Sequence, residues 1–225
     1  MKRYLDISWP LCADMVHYKD LSAFYVTQTK NFAEHGMFQS TLCMSSHAGT
    51  HIDAPFHVMQ DGQRSENLRV IIEAKCKVLD CTNVQKAISA DDLRVHNIEA
   101  GDIILLKTSN SFLPATGSFE YQFVYLAASG AEYLASKRVK VVGIDYLGLE
   151  REQPGHPSHK ALLSQGIMII EGLRLEHAQP DDRYTLLCFP LRIIGLEAAP
   201  ARAILLFGPC PEEAVSLSEH RPIIQ

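Results

Sequence analysis

Short apolar runs rich in β-branched residues recur along the chain, each bounded by glycine, proline or charge. They fall at 70–72, 77–80, 102–107, 139–145, 166–171, 184–189 and 201–206. Continuous apolarity over so few residues, without alternation, predicts strands buried on both faces. Helical patterns lie between them. The segment 89–93 opens on Ser89 with Asp91 and Asp92 behind it, a cap followed by an acidic first turn. The segment 129–135 runs up to the strand at 139, and 158–165 stops at Gly166. The pattern predicts a mixed α/β fold whose sheet is too irregularly connected for a simple alternating wind. No repeat, low-complexity tract or Gly/Ser linker divides the sequence, so 1–225 reads as one domain.

Composition narrows the function. Hydrophobic residues make up 47% and charged residues 21% of the 225, which supports a full-sized core. The formal net charge is -5 and Lys and Arg build no basic stripe, which excludes a nucleic-acid partner. Asp6, Pro10 and Asp14 interrupt any leader-like apolar run at the start. No stretch approaches the roughly 18 apolar residues of a membrane span. Cys12, Cys43, Cys76, Cys81, Cys188 and Cys210 form no Cys-x-x-Cys pair and are expected as reduced thiols, which points to the cytoplasm.

The candidate chemistry is concentrated in His47-Ala48-Gly49-Thr50-His51-Ile52-Asp53-Ala54-Pro55-Phe56-His57. In extended chain, alternate residues share a face, so His51 and Asp53 point the same way with Cα atoms about 6.6 Å apart. That spacing brackets one ion held about 2 Å from each side chain. A straight strand from His47 to His57 would span about 33 Å, too far for one site, so the chain must bend. Gly49 and Pro55 stand where bends are needed, and they also break the helix that would otherwise pair His47 with His51. Imidazoles with a carboxylate and no thiolate suit Zn²⁺ or Mn²⁺. Further ligands are expected from His159, after the turn at 154–157, and from Glu171, a carboxylate ending a buried apolar run. His156 rivals His159 but is expected in solvent.

The eleven-residue segment resembles the H-[GA]-G-T-H-x-D-x-P-x-H signature of the cyclase-like metal-dependent hydrolases, which include bacterial kynurenine formamidases. The stretch from His159 through Leu173 is similar to that family's second block, and Leu5-Asp6-Ile7-Ser8 to its start. The resemblance implies a swivelling β/β/α fold, a homodimer or homotetramer, and two metal ions. By position it implies that His47, His51, Asp53 and Glu171 hold one ion. Asp53, His159 and Glu171 would hold the second, with both carboxylates bridging and His57 as the acid/base. The sequence departs from the formamidases at Met15-Val16-His17-Tyr18-Lys19-Asp20, where His17 stands in the place of a pocket tryptophan and becomes the candidate substrate contact.

The expected reaction is metal-assisted hydrolysis of an amide C–N bond in a small aromatic substrate. A bound Zn²⁺ lowers the pKa of its water from about 16 towards about 7, and a histidine can protonate the leaving nitrogen. A cyclic amide of the isatin type or a lactone suits the same machinery. A different class, a non-haem Fe(II) oxygenase built on His51, Asp53 and a distant His, would leave His47 and Glu171 as surplus ligands; Arg183-Tyr184-Thr185 is a partial co-substrate motif for it. Elsewhere, Cys43 is expected in the core, as are Phe24, Tyr25, Phe32 and Phe38, the alternative for these aromatics being a wall for an aromatic substrate. Ser109-Asn110-Ser111 could line the pocket or turn the chain, and Asp145 could bond near the site.

Overall fold

The computed structural model describes residues 4–21 and 24–207, so Cys210 lies outside the described residues. The strands are β1 (Tyr4–Asp6), β2 (Phe24–Lys30), β3 (Gln39–Met44), β4 (His51–Asp53), β5 (Ile71–Asp80), β6 (Ala87–Ile88), β7 (Ile103–Lys107), β8 (Tyr125–Leu126), β9 (Val141–Ile144), β10 (Met168–Glu171), β11 (Asp181–Pro190) and β12 (Ala198–Phe207). The α-helices are α1 (Phe32–His35), α2 (Ala90–Arg94), α3 (Ala128–Ser136) and α4 (Pro157–Leu163).

The main sheet is mixed and closes on itself. Its order is β1-β12-β11-β5-β7-β9-β10-β4, and β4 pairs with β12 as well as β10. Strands β5, β7, β9 and β10 run parallel to one another, while β1, β4, β11 and β12 enter antiparallel. This is the mixed α/β, swivelling β/β/α architecture expected.

Alternate side chains of the apolar strands serve two layers. Ile103 and Leu105 of β7 join Ile52, Ile170 and Leu186 inside the closed sheet. Ile104 and Leu106 point the other way and pack with Leu93 of α2, Leu134 of α3 and Leu162 of α4. Both faces are dry, which is why the strand reads as an unbroken apolar run. Ser89 caps α2 as expected: its hydroxyl accepts from Asp92 N and the Asp92 carboxylate accepts from Ser89 N at 2.7 Å. The runs at 70–72 and 77–80 merge, from Ile71 onward, into one ten-residue strand. The polar gap between them contains Glu73, which pairs with Lys140 at 2.9 Å across the surface.

Two expectations are corrected on the hairpin β2–β3. Of its aromatics only Phe24 is buried; Tyr25, Phe32 and Phe38 are 55%, 63% and 73% exposed. Cys43 is exposed too. The hairpin is a separate two-stranded sheet, and beyond the Phe24–Met44 end, which packs in one cluster with Trp9 and Met15, its residues are largely exposed. Asp145 turns out to tie down the neighbouring turn. It accepts from Thr108 N and Oγ1 at 2.6 and 2.8 Å and from Ser111 N and Oγ at 3.0 and 2.6 Å. Ser109-Asn110-Ser111 therefore turns the chain rather than lining the cleft. Among the described residues, no helix is long and apolar enough to cross a membrane.

Candidate metal centre

Strand β4 is short but doubly held, and its two-residue period divides the work. Ile52 points into the closed sheet, while His51 and Asp53 point to the outer face. On the neighbouring β10, Glu171 lies opposite His51 and Ile169 opposite Asp53. Two glycines let the flanking loops meet. Gly49 has φ +62, and Gly172 has φ +68 with a hypothetical Cβ only 2.2 Å from Gly49 O. Thr50 fastens the crossing: its hydroxyl donates to Gly172 O at 2.6 Å and accepts from Trp9 N at 2.7 Å. Pro55 then opens a 3₁₀ turn, Pro55–His57, which brings His57 back over the cluster. Its ring lies 4.5 Å from that of His47 and 5.4 Å from that of His159, centroid to centroid.

The five predicted ligands converge. His47 Nδ1 lies 3.0 Å from His51 Nε2 and 3.3 Å from Asp53 Oδ1. His51 Nε2 lies 3.5 Å from Asp53 Oδ1 and 3.3 Å from Glu171 Oε2. On the other side, His159 Nε2 lies 3.5 Å from Asp53 Oδ2 and 3.2 Å from Glu171 Oε1. Each carboxylate thus offers one oxygen to each group. Ligand atoms about 2.05 Å from a tetrahedral ion stand about 3.3 Å apart, close to these separations. Asp53 supplies an independent test of fit. It is fully buried, yet neither of its oxygens accepts a hydrogen bond. A buried carboxylate left in that condition is costly unless a cation answers it. His51 Nδ1 faces Gly49 O at 3.0 Å, which places its proton there and leaves Nε2 free to ligate.

Without metal, protons play the cation's part. Burial pushes Asp53 up, but His159, His47 and His51 outweigh it and hold the carboxyl well below its usual range. Burial and the Asp53 charge also push Glu171 up, and His159 and His51 pull it down to about 2. Burial lowers His51 and His159, yet Glu171 and Asp53 raise the first, and Asp53, Glu150 and Glu171 raise the second well above the normal imidazole value. His57 differs. Burial is the main influence on it and lowers its pKa, favouring the neutral ring.

The cluster floors a cleft of about 660 Å³, a usual size for a small-molecule site. Met15, Val16, Leu21 and Leu147 give it an apolar wall; His17, Lys19, Gln153 and His156 add polar groups. His156 is exposed, as expected. Two carboxylates escaped the sequence reading. Glu150 approaches His159 Nδ1 to 2.9 Å, and Glu197 approaches His47 Nε2 to 3.5 Å while accepting from Ser46 Oγ. Glu150 follows a buried apolar run much as Glu171 does, a signal that could have found it. Glu197 carries no such signal.

The Cyclase family model matches residues 5–151 of the chain. A kynurenine formamidase from Erythrobacter litoralis is 34% identical over 166 residues, covering 73% of this chain and 74% of the relative. The chain belongs to the Cyclase family. A solved structure described as a potential metal-dependent hydrolase with cyclase activity matches this Cyclase member with 39% identity and a TM-score of 0.82, over 92% of this chain and 98% of the other. An isatin hydrolase bound to a product analogue, thioisatinate, shares the fold at 18% identity and a TM-score of 0.78, over 91% and 92%. This Cyclase member is a hydrolase, and its His/Asp/Glu cluster is of the kind that holds a divalent metal.

Proposed function

We propose that the protein hydrolyses the amide C–N bond of a small aromatic substrate, as an arylformamidase does, at a centre of two divalent ions. Convergence of five imidazole and carboxylate donors around the unanswered Asp53 oxygens is the observation that carries this reading. The kynurenine formamidase relatives support the choice of an N-formyl aromatic amide. In this reading His47, His51, Asp53 and Glu171 would hold one ion, and His159 with Asp53 and Glu171 would hold the second. Zn²⁺ or Mn²⁺ suits these donors. Such ions supply Lewis acidity at the carbonyl and an activated water at neutral pH.

The chain's own residues do the rest. His57, kept neutral by burial and placed at the edge of the cluster, takes a proton from the attacking water and returns it from a ring nitrogen to the leaving nitrogen. An amide needs that proton because its nitrogen leaves poorly as an anion. His17, on the wall facing the cluster, contacts the substrate's ring or its polar substituent. The apolar wall excludes water around the aromatic part. Homodimeric or homotetrameric assembly belongs to the same reading and is measured by analytical ultracentrifugation.

The test is a substrate panel with the purified protein reconstituted with Zn²⁺ or Mn²⁺. Cleavage of an N-formyl aromatic amide is expected. Opening of isatin without such cleavage would move the reading to a cyclic amidase, and inertness toward amides and lactones alike would remove it. The Fe(II) oxygenase alternative receives no support. His47 and Glu171 join the cluster rather than standing apart from it, Tyr184 packs inside the closed sheet, and the side chain of Arg183 lies outside the described ones.

A further inference from the structure

The cleft holds a carboxylate that the proposed ligand set does not use. Glu150 is 7% exposed and sits on the segment between β9 and α4. Its Oε1 accepts the backbone N–H groups of Ser158 and His159, the second at 3.3 Å, and the Gln153 side-chain amide at 3.4 Å. These ties fix the direction of its other oxygen. Oε2 lies 2.9 Å from His159 Nδ1 and 3.3 Å from His156 Nδ1. Oε2 and His159 Nδ1 are both buried, and neither has an aligned hydrogen-bond partner in the described residues. For each, the other is the nearer charged or titratable partner, His156 being more distant from Oε2 and exposed.

His159 is therefore gripped at both ring nitrogens, with Nε2 toward Asp53 and Glu171 and Nδ1 toward Glu150. A neutral imidazole carries one proton. A cation at Nε2 requires that proton on Nδ1, and an acceptor beside Nδ1 is what favours the arrangement. An ionised glutamate is acceptor-only and can play no other part there. We infer that Glu150 is a positioning residue that sets the tautomer and ring orientation of His159, and through it the strength with which the centre holds its metal. The inference rests on the proposed ligand set.

A rival use of the same atoms is an additional cation between Glu150, His156 and His159 Nδ1, which lie within ligand reach of one another. It would strip His159 of both ring protons and would take a ligand, His156, whose side chain is 61% exposed. The positioning role needs neither.

Glu150→Gln separates the possibilities. Its single amide oxygen is claimed by the Ser158 and His159 N–H groups, so its NH₂ faces His159 Nδ1. Donation there drives the ring proton onto Nε2, the nitrogen the metal needs. Zinc affinity, read by chelator competition, is expected to fall about 10- to 100-fold. The unfolding midpoint of the metal-free chain is expected to stay within a few degrees of wild type. Glu150→Asp keeps an acceptor, drawn back by one methylene, and is expected to recover part of the affinity; it also serves if the Gln variant folds poorly. His156→Ala is expected to leave the number of zinc ions per chain unchanged. Wild-type affinity in Glu150→Gln, or an Asp variant no better than the Gln one, overturns the inference. So does the loss of one whole ion from both Glu150→Gln and His156→Ala, which makes Glu150 a ligand. A wild-type chain that binds no zinc overturns the ligand set, and the inference with it, and is thereby distinguished from failure of Glu150 alone.

Discussion

The two faces of β4 and β10 share one backbone and do opposite things. On the inner face Ile52 and Ile170 lie among apolar neighbours and need nothing further. One residue away on the outer face, His51, Asp53 and Glu171 are just as buried, but they carry titratable groups that burial alone penalises. The inner face stabilises the fold whatever is bound, at about 1.5–3 kcal/mol for each large aliphatic side chain. The outer face gathers charge that is stable only when answered, by protons in the bare chain or by a divalent ion. Period-two geometry puts a core and a reactive centre back to back, so substitutions on the two faces should fail in different ways.

Removing the metal should have the largest effect. Chelation is expected to abolish hydrolysis while far-ultraviolet circular dichroism stays unchanged, because the inner face still holds the sheet; collapse of the spectrum would mean that the faces are not separable. His57→Ala is expected to keep its metal and lose about 10²- to 10⁴-fold in kcat, the usual worth of a positioned acid/base. Loss of metal in that variant would make His57 a ligand. Ile170→Ala, on the inner face, is expected to cost about 2–5 kcal/mol in denaturant unfolding through the cavity it leaves, with metal content unchanged in the folded fraction. The smallest effect is expected outside the comparison, on the hairpin: Phe38→Ser should change stability by less than about 0.5 kcal/mol, since that ring is already in solvent. A larger loss would show that something covers the hairpin.

Acid should act on the outer face through its imidazoles. His159 and His51 carry raised pKa values in the metal-free chain, so a metal must displace their protons. Isothermal titration in buffers of different ionisation enthalpy is expected to show proton release on metal uptake, with affinity falling as pH drops. Uptake without proton release would place the metal elsewhere.

Much of this was legible in the sequence because local rules and tertiary demands agree. The unbroken apolarity of 103–106 signalled a strand dry on both sides, and Ser89 with Asp92 signalled a helix start. The His51-x-Asp53 spacing signalled two ligands on one strand face, and Gly49 the bend that returns His47 to them. What escaped was non-local. The pairing of β4 with both β10 and β12 depends on registers between distant segments. Glu150 and Glu197 gain their significance only from the imidazoles that fold places beside them. The hairpin misled for a related reason: Tyr25, Phe32 and Phe38 look like core residues, but among the described residues no layer packs on them.

Metal content measured by inductively coupled plasma mass spectrometry, on wild type and Asp53→Asn purified in parallel, tests the centre most directly. Asp53 offers an oxygen to each side of the cluster, so its neutralisation should empty both positions. Two ions per wild-type chain and fewer than one in five chains metallated in the variant is the predicted result. A variant that keeps its metal, or a wild type that never acquires any, would contradict it.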